Sequence, residues 1–440
     1  MMKITFIGAG STIFARNVLG DCMCTDALRE CEIALYDIDA KRLADSEIIL
    51  TAINQNVNAG KSVIKTYLGV ENRKDALRDA KFVVNAIQVG GYEPSTKIDF
   101  EIPRKYGLKQ TIGDTIGIGG IMRGLRTIPV LRDCARDMEE VCPDALFLNY
   151  TNPMSILSGY MQRYTGINTV GLCHSVQKCS EEILTNVELE EKLEGRTELI
   201  AGINHMAWLL KLNDKEGNDL YPLIRKMAKE KNAKEIHKDM VRFEYIRHLN
   251  YYCTESSEHN AEYNNFFIKD KYPEFIEKYN IPLEEYPNRC IKQIAEWEKD
   301  KADILKNGQV THERSHEYAS YIMEAIVLNK PYKIGGNVLN TGLIDNLPAD
   351  ACVEVPCMVD ANGINPCHVG RLPVQLAAMN MTNVNVHLLT IEAAITKKRE
   401  YIYHAAMLDP HTSSELSIDA IKSMCDELIE AHGEYMDDFR

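Results

Sequence analysis

Five short apolar runs, each separated from the next by a helical pattern, recur through the first 190 residues of the chain. They are KITFIGAG, CEIALYDID, AKFVVNAIQVGG, DALFLNYTNP and INTVGLCHS. A sheet with one wet face alternates apolar and polar residues. Continuous apolar runs instead suit parallel strands covered by helices on both faces. The pattern predicts an α/β fold, with a Rossmann-like, doubly wound parallel sheet of the lactate/malate dehydrogenase kind over residues 1–195. The charged stretch CSEEILTNVELEEKLEG is expected to close that unit as a helix.

Beyond it the patterns mix. ELIAGINHMAWLLKL, KIGGNVLNTGLI and ACVEVPCMV read as strands. HERSHEYASYIMEAIVLN, PVQLAAMNMTNVNVHLLTIEAAIT and SIDAIKSMCDELIEAH read as helices. Residues 196–440 are therefore expected to form a second, mixed α+β domain. With 440 residues the chain can bury two cores.

Charge and composition remove several function classes. A net charge of −14 argues against nucleic acid as a partner, since phosphates call for clustered Lys and Arg. No run of about eighteen apolar residues is present, so no membrane partner is expected. The opening MMKITFIGAG is broken by Gly8 and Gly10 and does not read as a secretion signal. Thirteen scattered cysteines without a Cys-x-x-Cys suggest reduced thiols and a cytoplasmic protein.

The first run ends in Gly8, Gly10 and Ser11, ahead of a helical pattern. Bare backbone there lets a pyrophosphate approach a helix N-terminus, where free N–H groups and the dipole favour anions. Ile13 occupies the place of the usual third glycine. Asp37, at the end of the second run, is spaced to bind the ribose hydroxyls of NAD and to disfavour the phosphate of NADP. Asn85, ending the third run, is expected to face that cofactor.

Other candidates cluster at the carboxyl ends of the runs, the edge where ligands bind in open α/β sheets. Asn149 and Asn152 lie in NYTNP, which is also a natural Asn-Pro turn. Cys173 and His174 end the fifth run. Neighbours on a strand point to opposite faces, so one metal takes both only if the strand has already ended. A partner for Cys173 is His205 in GINHMAWLL. Asp114 sits in GDTIGIGG, read as a glycine-rich loop through Gly117, Gly119 and Gly120. TESSEHNAEY concentrates Glu255, Glu258, His259 and Glu262, as sugar recognition or a solvated surface would require. His312, Glu313 and His316 match the His-Glu-x-x-His of zinc proteases. Arg314 inside the motif opposes a cation, so a helix facing a polar site is the expectation.

As an ordered set, FIGAGS, LYDID, GDTIGIGGI, NYTNPM, GLCHSV, GINHMAW, TESSEH and LIDNLPADACVEVP resemble glycoside hydrolase family 4 over nearly the whole chain. That family is an exception to the two-carboxylate glycosidase scheme. The Cys-His-Ser-Val segment resembles the branch acting on α-galactosides rather than on 6-phosphoglycosides; related branches act on α-galacturonides or α-glucosides. The resemblance implies NAD, manganese or another divalent ion, and homodimers or homotetramers. It implies transient oxidation at sugar C3, proton loss at C2, elimination of the aglycone, addition of water and return of the hydride.

Cys173 and His205 then resemble the metal ligands. Asn152 resembles a holder of sugar hydroxyls, with Asp114 as a further substrate contact. His174 matches the proton donor to the leaving oxygen, work suited to an imidazole. Tyr251, Tyr252 and Glu255 compete as the C2 base, and Tyr252 is preferred. Two other readings stand beside it: a 2-hydroxy acid dehydrogenase, which would leave the Cys173/His205 pair without purpose, and a non-catalytic NAD sensor, which would bind cofactor without turning over any glycoside.

Overall fold

The computed structural model describes residues 1–307 and 310–439, with side chains described except for 298–307. Twelve strands form one sheet. They are β1 (Met2–Ile7), β2 (Cys31–Asp37), β3 (Val63–Leu68), β4 (Phe82–Asn85), β5 (Leu146–Asn149), β6 (Thr169–Gly171), β7 (Thr197–Ile203), β8 (Met206–Asn213), β9 (Tyr252–Cys253), β10 (Tyr332–Leu339), β11 (Cys352–Asp360) and β12 (Gly363–Pro366). The order is β3-β2-β1-β4-β5-β6-β10-β11-β7-β8-β9, with β12 on β11.

The first six strands are parallel and follow the dinucleotide-fold order 3-2-1-4-5-6. Five of them match the five apolar runs. β3 has no such run. It is an edge strand whose Val63 and Leu68 are 42% and 41% exposed, so it lacks the pattern of a doubly covered strand. Antiparallel strands continue the sheet without a break, through Asn337 of β10 opposite Gly171 of β6.

ELIAGINHMAWLLKL is two strands, not one. β7 and β8 form a hairpin turned by Asn204 and His205. The helix expected in CSEEILTNVELEEKLEG starts earlier, at His174, and ends at Asn186. GDTIGIGG is not a loop throughout: Gly117 opens a helix that runs to Val141. Its glycines serve close packing. A Cβ on Gly119 would stand 2.3 Å from the Gly113 oxygen, and one on Gly120 would stand 2.7 Å from the Thr115 oxygen. That contact presses the segment carrying Asp114 onto the helix start. HERSH is irregular backbone, and the helix begins only at Tyr318. A zinc-protease helix is therefore absent. No described helix is long and apolar enough to cross a membrane.

Candidate active site

The carboxyl ends of the parallel strands open into a cavity of about 380 Å³, a common size for small-molecule sites. Ser11, Asn152, Cys173, His174, His205 and Tyr286 are among the residues that line it.

The glycine turn closes one side. Gly8 holds φ +86°, and a Cβ there would lie 2.8 Å from the backbone of Ala86. A Cβ on Gly10 would lie 2.8 Å from Asp37 Oδ2 and from the Arg42 Cβ. Only bare backbone fits both places. Ser11 precedes the helix Thr12–Met23, in which the Ala15 N–H is bonded to the Ser11 oxygen at 2.8 Å. Helix geometry leaves the preceding N–H groups without an intrahelical acceptor, the arrangement that receives a phosphate. Asp37 ends β2 beside the turn and accepts from Gly10 N–H at 2.6 Å and from Asp39 N–H at 2.9 Å.

Asn85 does not face this cavity as expected. It is fully buried at the end of β4, donating to Asn149 Oδ1 at 2.9 Å and Thr151 Oγ1 at 3.2 Å. Asn149 is likewise buried and braces its own turn through Thr151 O and Ser158 Oγ. The two amides shape the NYTNP segment from beneath and leave Asn152 on the cavity wall.

In the same cavity as Ser11, Cys173, His205 and Glu255 bring one sulfur, one nitrogen and one oxygen within 4.8 Å of one another. Three separate elements supply them. β6 has ended at Gly171, so Cys173 is free of strand alternation. His205 occupies the hairpin turn with φ +63°, a left-handed conformation uncommon for a side chain of this size. Glu255, two residues past β9, also holds φ +63°. His205 Nε2 lies 3.4 Å from Glu255 Oε2, and His205 Nδ1 is buried without a partner. Burial pushes the Cys173 thiol up, and Glu354 and Glu255 push it in the same direction. A cation would reverse that balance, because a thiolate is what a metal binds. The donor set fits a divalent ion with open positions.

Asp114 and Asn152 join this group. Asn152 Nδ2 donates to Asp114 Oδ2 at 3.3 Å, and Thr115 Oγ1 donates to Asp114 Oδ1 at 2.6 Å. Burial raises the Asp114 carboxyl, but Arg123 and His259 outweigh it and hold it low. Arg123 also donates to the Tyr286 hydroxyl at 3.2 Å. The His259 ring lies tilted beside that of His205, with ring centres 4.5 Å apart, and burial pushes its pKa down to about 4. Glu262 ties the segments together: it accepts from the backbone N–H groups of Thr111, Ile112 and Gly113.

His174 also lines the cavity, but it turns away from Cys173 and pairs with Glu317 through Nε2. Tyr252 is elsewhere. It is fully buried, its hydroxyl donates to Asp239 at 2.6 Å, and Arg242 lies 4.4 Å over its ring. Tyr251 packs edge-on against Tyr221, outside the lining. The preference for Tyr252 as a base at the sugar is therefore corrected: a hydroxyl spent on a buried carboxylate cannot reach a substrate. Of the three candidates only Glu255 stands on the cavity wall. Sequence reasoning missed Tyr286 and Arg123, which lie in helices, and Glu317, which stands one residue past HERSH and takes no part in that motif.

The chain and its fold are matched by known proteins. Residues 3–189 match the model for family 4 glycosyl hydrolases, and residues 200–412 match that for the family's C-terminal domain. An alpha-galactosidase of Bacillus subtilis is 60% identical over 440 residues, covering 100% of both chains. A crystal structure of the 6-phospho-beta glucosidase from Thermotoga maritima with manganese, NAD+ and glucose-6-phosphate superposes with a TM-score of 0.77 at 21% identity, covering 99% of each chain. A malate dehydrogenase from Plasmodium falciparum shares the fold more distantly, with a TM-score of 0.51 at 14% identity over 91% of this chain and 100% of that one. Family models that together span nearly all of the chain, and a full-length relative at that identity, place this chain in family 4 of the glycosyl hydrolases.

Proposed function

We propose that the chain is an α-galactosidase that uses NAD and a divalent cation, with manganese as the expected ion. The observation that carries this reading is the sulfur, nitrogen and oxygen cluster of Cys173, His205 and Glu255 in one cavity with Ser11 of the glycine turn. The Bacillus subtilis relative supports the galactoside specificity. Gly8, Gly10, Ser11 and Asp37 would hold the dinucleotide; Cys173 and His205 would hold the cation, with Glu255 in reach as a third donor. When bound, these groups supply reversible hydride transfer and Lewis acidity.

The chain's own residues do the rest. Asn152 and Asp114 orient the sugar hydroxyls. His174 offers a proton to the leaving oxygen. Removal of the C2 proton falls to the Tyr286 hydroxyl, beside which the Arg123 cation favours the phenolate. Burial, the larger effect, raises the Tyr286 pKa, and Arg123 offsets part of that rise.

The cavity's charge favours a neutral sugar. Arg123 is engaged by Tyr286 and Asp114, and Arg289 pairs with Glu285 at 3.2 Å and Glu258 at 3.9 Å. Among their buried atoms only Arg123 Nε is left without a partner, and both guanidiniums already face groups of the chain, so a galacturonide or 6-phosphoglycoside is read as the weaker substrate. We take the working form to be a homodimer or homotetramer, as the family resemblance implies. The thirteen unpaired thiols support a reducing cytoplasm.

The test is hydrolysis of p-nitrophenyl α-galactoside with NAD+, Mn2+ and reductant each withheld in turn. Activity that needs both cofactors and yields no net NADH is expected. Net NADH from a hydroxy acid, with no glycoside cleaved, would overturn the reading.

A further inference from the structure

The segment that resembled a zinc-protease motif has a different employment. Residues 312–317 form an irregular strap lying against the helix Thr12–Met23. Asp21 of that helix, fully buried, is its anchor. Asp21 Oδ1 meets His312 Nε2 at 2.7 Å and accepts from Ser315 N–H at 2.8 Å; Oδ2 accepts from Ser315 Oγ at 2.6 Å. The strap approaches so closely that a Cβ on Gly20 would stand 2.6 Å from the His312 ring. Ser315 Oγ then accepts from Glu317 N–H at 3.1 Å, and Tyr321 hydroxyl donates to Ser315 O at 3.1 Å. Gln177, on the helix that His174 begins, donates to His316 O at 2.8 Å. Arg314 closes the far side against Glu324 at 2.8 Å and over the Tyr321 ring.

Every bond of the strap bears on where Glu317 stands. Its side chain is nearly buried, one oxygen meets His174 Nε2, and the other has no partner. The His174 ring is flanked by Phe14 and Tyr150, with ring centres at 6.4 and 6.2 Å. A carboxylate offers only acceptors, so the hydrogen between the two residues belongs to Nε2. Nδ1 is left for whatever enters the cavity. A carboxylate that holds one imidazole nitrogen fixes the ring and its tautomer, as in hydrolase triads.

We infer that Glu317, set in place by the Asp21-anchored strap 312–317, is the positioning residue that orients His174 for protonation of the leaving oxygen. The inference rests on the glycosidase reading and on His174 as the proton donor. Glu317 needs no contact with the sugar. Its effect is felt where the aglycone cannot leave without a proton.

The experiment compares Glu317→Gln with the wild type on two substrates, p-nitrophenyl α-galactoside and methyl α-galactoside, at saturating NAD+ and Mn2+. p-Nitrophenolate leaves without help, and methoxide does not. The expected result is a kcat loss at least about 10-fold larger on the methyl glycoside, in the range that acid catalysis supplies. NAD+ affinity, read by fluorescence, is expected to stay within about 3-fold. A structural role would lower both activities alike, so equal losses, or none, overturn the inference. Should Glu317→Gln fail to fold, Ser315→Ala takes its place: it loosens the strap, and the same leaving-group selectivity is expected at smaller size, with equal losses again overturning the inference. A wild type inert on both glycosides overturns the glycosidase reading and this inference together. An active wild type with equal losses in the variants overturns the inference alone.

Discussion

His205 Nε2 lies 3.4 Å from Glu255 Oε2, and both residues hold their backbones in the left-handed region. Such a conformation costs a non-glycine residue about 1–3 kcal/mol and persists where the surroundings over-determine it. Replacing His205 by glycine removes both the strain and the imidazole. His205→Gly is expected to unfold within about 1 kcal/mol of the wild type, because the relieved strain offsets glycine's extra freedom in the unfolded chain. Hydrolysis at limiting Mn2+ is expected to fall at least about 100-fold, the upper range seen when a metal site loses support. Urea unfolding and a Mn2+ titration of activity check the two halves. Loss of stability without a change in the Mn2+ requirement would remove His205 from the ligand set.

The buried Tyr252–Asp239 bond separates two tyrosines by their work. Tyr252→Phe leaves Asp239 with Arg242 and Ser257 as partners, so stability should drop by about 1–2 kcal/mol while kcat stays within about 3-fold. Tyr286→Phe should lower kcat by about 100-fold or more and abolish deuterium uptake at sugar C2 in D2O. Full exchange in Tyr286→Phe would return the base to Glu255.

Gly10 has no room for a side chain. Gly10→Ala places a methyl against Asp37 Oδ2 and the Arg42 Cβ, both 2.8 Å away. NAD+ affinity is expected to fall at least about 10-fold, or roughly 1.4 kcal/mol. Fluorescence titration measures it. The Mn2+ dependence should not move, since the added methyl meets Asp37 and Arg42 and none of Cys173, His205 or Glu255.

Glu262 makes stability depend on pH. Burial pushes its pKa up to about 7, against the pull of the three backbone N–H groups it accepts from. A carboxyl raised in the folded state favours folding while protonated. Its stabilising contribution is complete below the unfolded value, near 4.3, and is lost as pH rises through about 7. The stability advantage of wild type over Glu262→Gln should therefore shrink between pH 4.5 and 7. Denaturant midpoints at both ends of that window test it, and an advantage that grows with pH would mean that the N–H groups win.

Much of this was legible in the amino-acid order. Five parallel strands showed as apolar runs, because a strand covered on both faces admits almost no polar side chain. The glycine turn and Asp37 were legible because the close approach at Gly8 and Gly10 leaves little choice of residue. β3 was not, since an edge strand with exposed Val63 and Leu68 carries no such pattern. Nor was the direction of Tyr252: two neighbouring tyrosines and a glutamate compete, with Tyr252 preferred, until the backbone turns at Glu255 and leaves only the carboxylate on the cavity wall.

The sequence by itself determined five of the parallel strands, the glycine turn proposed to receive the dinucleotide and the residue types able to hold a cation. Only the tertiary structure decided which of them meet. Cys173, His205 and Glu255 come from a strand end, a hairpin turn and a loop, and their spacing along the chain says nothing of the 4.8 Å that contains their donor atoms. The same holds for His174 and Glu317, which a strap anchored on Asp21 brings together. Burial writes itself into local pattern because it acts on every residue of a strand. Convergence of single side chains depends on how whole elements pack, and no local pattern records it.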